Sequence, residues 1–211
     1  MTPAVYALII TNVLVYGIEK LMTVGVITYF ALWPYGDIPL PSGDSVELFR
    51  PWQLITYSFL HDPDSLVHIV LNLYALYAFG GEIERTLGTR RFVWMYGAAV
   101  LAAGITQLIV VTMALQAGIR PAPTLGASGG VFGVLLAFGL LFPHRRVMLI
   151  IPPIPMPAWV LVTVYAAIEL ANGVFGSRTG IAHFAHLGGM VGAFIALSVF
   201  GYKRFQDTRR G

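Results

Sequence analysis

Gly126-Ala127-Ser128-Gly129-Gly130-Val131-Phe132-Gly133 is the stretch on which the fold turns. A serine flanked by small residues opens an apolar run that reaches Phe142 and stops at Pro143-His144-Arg145-Arg146. A hydroxyl with so little bulk around it packs poorly and leaves room for chemistry. Taken alone, such a serine is also an ordinary helix cap or a small residue at a membrane-helix interface. The choice between these readings depends on whether the rest of the chain brings a base and an oxyanion site to the same place.

The surrounding chain is apolar. Of its 211 residues, 57% are hydrophobic and 11% charged. Soluble domains are nearer half apolar and a quarter charged. The composition therefore predicts an all-α, multi-pass membrane protein with a single domain over residues 1–211. The absence of cysteine excludes disulfides and thiolate metal sites. The five histidines are spread along the chain without metal-ligand spacing, and no metal, nucleotide or other cofactor is implied. The N-terminus lacks the basic start and small-residue cleavage site of a secretory signal, so its apolar run is expected to be kept as a span.

Six helices are expected. They run over about 3–22, 66–79 continuing towards Arg85, 91–115, 128–142, 158–174 and 181–202. Between the first two, residues 23–66 hold Pro34, Pro39, Pro41, five acidic residues, Trp33, Phe49 and Trp52. That mixture predicts a long structured first outer loop lying at the membrane interface. Arg85, Arg90, Arg91, Arg145, Arg146 and the basic tail at 203–211 fall on one side. The positive-inside bias makes that side, with both termini, cytoplasmic. Topology and anionic lipid explain the tail, so nucleic acid is not expected as a partner.

Counting from those basic anchors places three polar groups at one level. Seventeen residues separate Ser128 from Arg145, His186 from Lys203, and His68 from Arg85. At 1.5 Å per residue, each lies roughly 25 Å above the basic edge, inside a hydrocarbon core of about 30 Å. Asn72 lies one turn deeper than His68 on the same face. Polar groups at such depth face a bundle interior or a wet cavity and are functional by default. The hydroxyl of Ser128 is a weak nucleophile until a base takes its proton, and His186 suits that task. His68, Asn72 and the backbone N–H of Ser128 can donate to an oxyanion. Gly129 and Gly133, with Gly188 and Gly192, are expected to let the fourth and sixth spans approach closely.

Gly126-Ala127-Ser128-Gly129, His68 through Asn72, and Ala185-His186-Leu187-Gly188-Gly189 together resemble the signatures of the rhomboid intramembrane serine proteases. Arg50-Pro51-Trp52-Gln53 and the run from Phe79 to Gly88 extend the likeness. The resemblance implies a Ser128–His186 dyad without a third carboxylate, and an oxyanion hole lined by His68 and Asn72. It implies substrates that are transmembrane segments of single-span or multi-span proteins, and a gate over about 158–182. Gln53 stands where many members have arginine. The compact plan suits a bacterial cell membrane. The alternative is a proteolytically inactive relative that binds membrane proteins; such relatives lack the serine or the histidine, and both are kept here.

Two further residues compete for roles. His183 is the rival base, one turn above His186. Glu169 reads as a gate or interface residue, although the order Ser128…Glu169…His186 also fits the triad order of soluble hydrolases with a G-x-S-x-G turn. That turn requires a strand and an α/β sheet, and no such pattern is visible. His61 and His144 read as ordinary loop histidines.

Overall fold

A computed structural model describes residues 1–40, 42–119, 122–148, 154–175, 183–203 and 205. Pro41, Arg120, Pro121, Pro152, Pro153, Arg178, the start of the last expected span at 181–182 and most of the basic tail lie outside these residues.

Apolar helices dominate. Five of them are long and apolar enough to cross a membrane: Pro3–Leu21, Leu66–Leu87, Thr89–Gln116, Ala158–Phe175 and His183–Phe200. We label Pro3–Leu21 α1, Thr89–Gln116 α6, Ala158–Phe175 α8 and His183–Phe200 α9. The span Leu66–Leu87 is α4 (Leu66–Ala75) running through a π-helical stretch (Leu76–Gly80) into α5 (Gly81–Leu87). The helix opened by Ser128, α7 (Ser128–Leu141), has 14 residues and is shorter than the rest. At 1.5 Å per residue it is only about 21 Å long, less than a hydrocarbon core of about 30 Å. A helix of that length, anchored at one surface, ends short of the other.

α7 is apolar on every side, as a helix buried among others must be. Gly129, Gly130, Gly133, Val134, Ala137, Phe138 and Gly139 are all buried. Its closest neighbour is α9. A Cβ placed on Gly189 would collide with the backbone of Gly129, and one on Gly133 would meet Ala99 at 2.5 Å, the Gly189 carbonyl at 3.1 Å and Ala193 at 3.2 Å. This corrects one expectation. Gly188 and Gly192 face α6 rather than α7, against Thr106, Ala102 and Ala98. α9 is wedged between two helices and needs small residues on both faces.

The segment between α1 and α4 is structured but not all loop. Thr23–Phe30 forms α2 directly after a break at Met22. Strands β1 (Asp37–Pro39) and β2 (Ser45–Glu47) form a small antiparallel hairpin, and α3 (Gln53–Thr56) passes into a 3-10 turn at Tyr57–Phe59. Gln53 is fully buried. Its side chain accepts from the backbone N–H groups of Trp33 and Arg50 and donates to the carbonyls of Tyr29 and Leu48. The Gln53 amide thus satisfies four backbone groups of the segment. Beyond α7, β3 (Arg146–Met148) pairs with β4 (Pro155–Pro157), immediately before α8.

α1 is held at both ends by carboxylates. The N–H groups of Ala4 and Val5, in its first turn, donate to Glu84 at 3.0 Å each. Near its other end Glu19 is fully buried and accepts from the His61 N–H at 2.9 Å. His61 is not an ordinary loop histidine. Its ring is fully buried 5.2 Å from that of His68, and neither ring nitrogen has an aligned hydrogen-bond partner among the described residues. Burial first, and the neighbouring His68 second, hold the His61 imidazole down at about 4.

Two predictions follow from this packing. Gly189→Ala should lower stability by at least about 1–3 kcal/mol, because the added methyl meets backbone that cannot rotate away; thermal unfolding in detergent measures it. His61 favours its neutral form when folded, so stability is lost as pH falls from about 6.5 towards about 4. That group's share of the loss is about 2 kcal/mol at pH 5. His61→Phe should match the parent at pH 7 and unfold at a higher temperature than the parent at pH 5.

Candidate active site

The serine is presented by a clamped turn. The Gly126 N–H donates to the Tyr57 carbonyl at 3.0 Å, and Leu32 and Thr124 exchange backbone hydrogen bonds at 2.9 Å. Tyr57 is itself fixed, its hydroxyl donating to the Val100 carbonyl at 2.9 Å. Gly126 adopts φ +134°, a conformation that side chains disfavour. Ala127 then turns the chain into α7, with Ser128 as the first helical residue. The N–H of Ser128 is among the first-turn donors that have no acceptor within the helix.

Across from it, His186 projects from α9. Its Nε2 lies 2.8 Å from Ser128 Oγ, joining residues 58 apart in the chain. The imidazole stacks flat on Phe132, with centroids 4.2 Å apart and planes 5° from parallel. Phe132 sits one helical turn below Ser128, so the same helix carries the hydroxyl and the floor under its partner. His186 is nearly buried, with 12% of its side chain exposed.

His68 reaches the same place from α4. Ser65 caps that helix by accepting from the His68 N–H. The Asp62 N–H lies 3.3 Å from His68 Nδ1. A backbone N–H can only donate, so Nδ1 accepts and the neutral ring carries its proton on Nε2. That Nε2 lies 3.1 Å from the point where a Gly126 Cβ would stand, and Ser128 Oγ lies 3.6 Å from the same point. The space left by the missing side chain is therefore walled by an N–H donor on one side and the serine hydroxyl on the other. Asn72 is buried one turn deeper, its amide donating to the His68 carbonyl at 2.9 Å. One of its two N–H groups is engaged there.

Ser128, His186 and His68 thus meet, as counting along three helices predicts. His183, the rival base, turns elsewhere: its Nδ1 lies 2.6 Å from Glu169 Oε2 on α8. The same oxygen lies 3.0 Å from His186 Nδ1. That second approach is close without being aligned, and His186 Nδ1 is buried with no aligned hydrogen bond. Glu169 is buried. A carboxylate beside the imidazole departs from the expectation of a bare dyad. Sequence order alone offered the signal, since Glu169 stands between Ser128 and His186 in the chain. Although the histidines are scattered in sequence, ligand atoms of Glu169, His183 and His186 come within 4.8 Å of one another, close enough to surround one ion. His144 precedes β3 and is exposed, away from this cluster.

Comparison with known proteins identifies the family. A family model described as the rhomboid domain matches residues 49–203. Rhomboid protein 1, mitochondrial, of Saccharomyces cerevisiae is 36% identical over 77% of this chain and 52% of its own length. Rhomboid protease GluP of Bacillus subtilis is 32% identical over 71% of this chain and 26% of its own. The presenilin-associated rhomboid-like protein, mitochondrial, of Mus musculus is 33% identical over 69% and 36%. The chain spans between about a quarter and a half of the length of these relatives. Two of the three are mitochondrial, so the expectation of a bacterial cell membrane gains no support from them. The match over most of the sequence, together with the apolar helices, makes this an integral membrane protein, and the chain belongs to the rhomboid family.

Proposed function

We propose that the protein is an intramembrane serine endopeptidase that cleaves transmembrane segments of other membrane proteins, with Ser128 as nucleophile and His186 as base. The observation that carries the reading is the 2.8 Å approach of His186 Nε2 to Ser128 Oγ beside an empty, donor-lined space. Membership in a family that includes a named protease supports it.

The geometry supports the following course for the reaction. Ser128 Oγ attacks the scissile carbonyl carbon while its proton passes to His186 Nε2. The carbonyl oxygen becomes an oxyanion in the space beside Gly126, where His68 Nε2–H and the Ser128 N–H donate to it. Asn72 adds its second amide N–H. Such donors stabilise charge most where water is scarce, and losing one typically costs about 100- to 1000-fold. As the intermediate collapses, the C–N bond breaks and the leaving amine takes the proton from His186. Water then attacks the Ser128 ester, giving its proton to the same nitrogen; that proton passes to Ser128 Oγ as the ester C–O bond breaks, and the acid product leaves. Phe132 keeps the imidazole edge-on to the hydroxyl through both steps. Ser128 and His186 are each partly exposed, which gives water its path.

Arg85, Arg90, Arg91 and Arg145 lie at the opposite ends of the helices from Ser128 and His68. In this reading that end faces the cytoplasm, or the equivalent compartment of an organelle, and cleavage occurs nearer the outer side. The whole chain acts as one membrane domain, with residues 23–66 as its outer segment.

Reconstitution in liposomes with a panel of single-span proteins tests the activity. Ser128→Ala and His186→Ala should each abolish cleavage while melting as the parent does, and Ser128→Ala should also lose covalent labelling by a fluorophosphonate. A fully active His186→Ala variant would overturn the assignment. Gly126→Ala is expected to remove cleavage by at least about 100-fold, since its methyl would occupy the oxyanion space between His68 and Ser128. Equal activity in Gly126→Ala would show that the oxyanion lies elsewhere.

A further inference from the structure

We propose that Glu169 is a positioning residue for His186, so that the site works as a hydroxyl, an imidazole and a carboxylate drawn from three helices. This rests on the reading of Ser128 and His186 as a hydrolytic pair and adds to it.

The carboxylate is costly where it sits. α8 runs Ala-Trp-Val-Leu-Val-Thr-Val-Tyr-Ala-Ala-Ile-Glu-Leu-Ala-Asn-Gly-Val-Phe, with Glu169 its one charged residue. A buried ionised group needs partners, and here both come from α9. His183 Nδ1 lies 2.6 Å from Oε2, and His186 Nδ1 lies 3.0 Å from the same atom. The two histidines are three residues apart on one helical face, so one oxygen reaches both. A carboxylate only accepts, so His183 presents an Nδ1–H to it, and the same negative oxygen 3.0 Å from His186 Nδ1 favours the tautomer with the proton on that nitrogen. For His186 that choice of tautomer leaves a lone pair on Nε2, the nitrogen facing Ser128 Oγ. The carboxylate thereby selects the form of the ring that can act as a base.

His183 anchors the resting carboxylate through a short contact, whereas the His186 N–H is near but unaligned. The difference has a use. When Ser128 gives up its proton, His186 becomes an imidazolium among apolar walls, flat on Phe132. A positive charge there needs a negative one beside it, and attraction is strong where water is scarce. Glu169 Oε2 is already in place to supply it. The proton bookkeeping is simple: the serine proton moves to His186 Nε2 and later to the leaving amine. The Nδ1 proton stays on His186 throughout, and Glu169 stays ionised.

A purely structural clip between α8 and α9, made by Glu169 and His183 alone, predicts different behaviour, as does a metal site. Full-length protein in liposomes, given a single-span substrate, separates them. Glu169→Gln should lower kcat by about 100-fold, with KM within about threefold and with fluorophosphonate labelling slowed in parallel. Glu169→Asp, which keeps the charge, should recover at least about tenfold of that loss. His183→Ala should cost less than about fivefold, because the carboxylate still faces His186. The proposal is overturned if Glu169→Gln and Glu169→Asp both keep the parent's kcat and labelling rate. It is overturned equally if Glu169→Gln and His183→Ala lose the same amount through KM or melting temperature, as a clip would. Activity removed by a chelator and restored by zinc would also overturn it, making Glu169 a ligand. Ser128→Ala separates the two levels: if it still cleaves, the hydrolytic pair itself is wrong, whereas a dead Ser128→Ala beside a fully active Glu169→Gln removes only the role of Glu169.

Discussion

Two helix backbones touch where Gly129 of α7 meets Gly189 of α9, and the distance between Ser128 and His186 is set by that contact. A side chain on Gly189 would force the axes apart, and a hydrogen bond stretched by even an ångström or so is no longer one. The cost of this closeness falls on sequence composition. α7 and α9 are filled with glycine and alanine at their meeting faces, and α6 backs them with Ala98, Ala99, Ala102 and Ala103. In lipid, where burial of apolar surface does little to drive helices together, such close van der Waals packing is what holds them. The same feature that stabilises the bundle therefore fixes the geometry of its polar centre.

Around that contact, each polar group is held by a different piece of chain. Ser128 follows a turn bonded to Tyr57 and to Leu32. His68 is steadied by the Asp62 N–H, and His186 lies on Phe132. The segment between α1 and α4 thus does more than lie at the interface: through Tyr57 and Leu32 it bolts down the turn before the serine. A preorganised site needs this second layer, because a hydroxyl on a loose turn would spend most of its time facing the wrong way. Catalytic chemistry inside a membrane domain also needs water without exposing the helices. α7 has 14 residues, too few to cross a hydrocarbon core of about 30 Å, and Ser128 at its head is partly exposed.

Much of this is legible in the chain. The apolar runs mark α1, the α4–α5 span, α6, α7, α8 and α9 to within a few residues, since hydrophobic length is a local property, whereas α2 falls inside the segment expected as a loop. Equal counts of residues from basic anchors bring Ser128, His186 and His68 to one depth, because rise per residue along a helix is nearly constant. What such counting cannot give is rotation about each axis. Gly188 and Gly192 have the spacing of a helix-packing pair, yet they face α6, and Gly189 between them makes the contact with α7. Likewise His61 reads as a loop residue and is fully buried beside His68, because the turn that carries it folds in against Glu19.

The sequence by itself determined a membrane-embedded helical protein of this family, the serine and histidine at matching depth, and the small residues that let helices close. Only the tertiary structure decided which faces meet. It put Glu169 of α8 against His186 and His183, turned His183 away from the serine, and set the ring tip of His68 across the gap at Gly126. The physical reason is that depth follows from the number of residues along one helix, whereas azimuth and partner follow from how several helices pack at once.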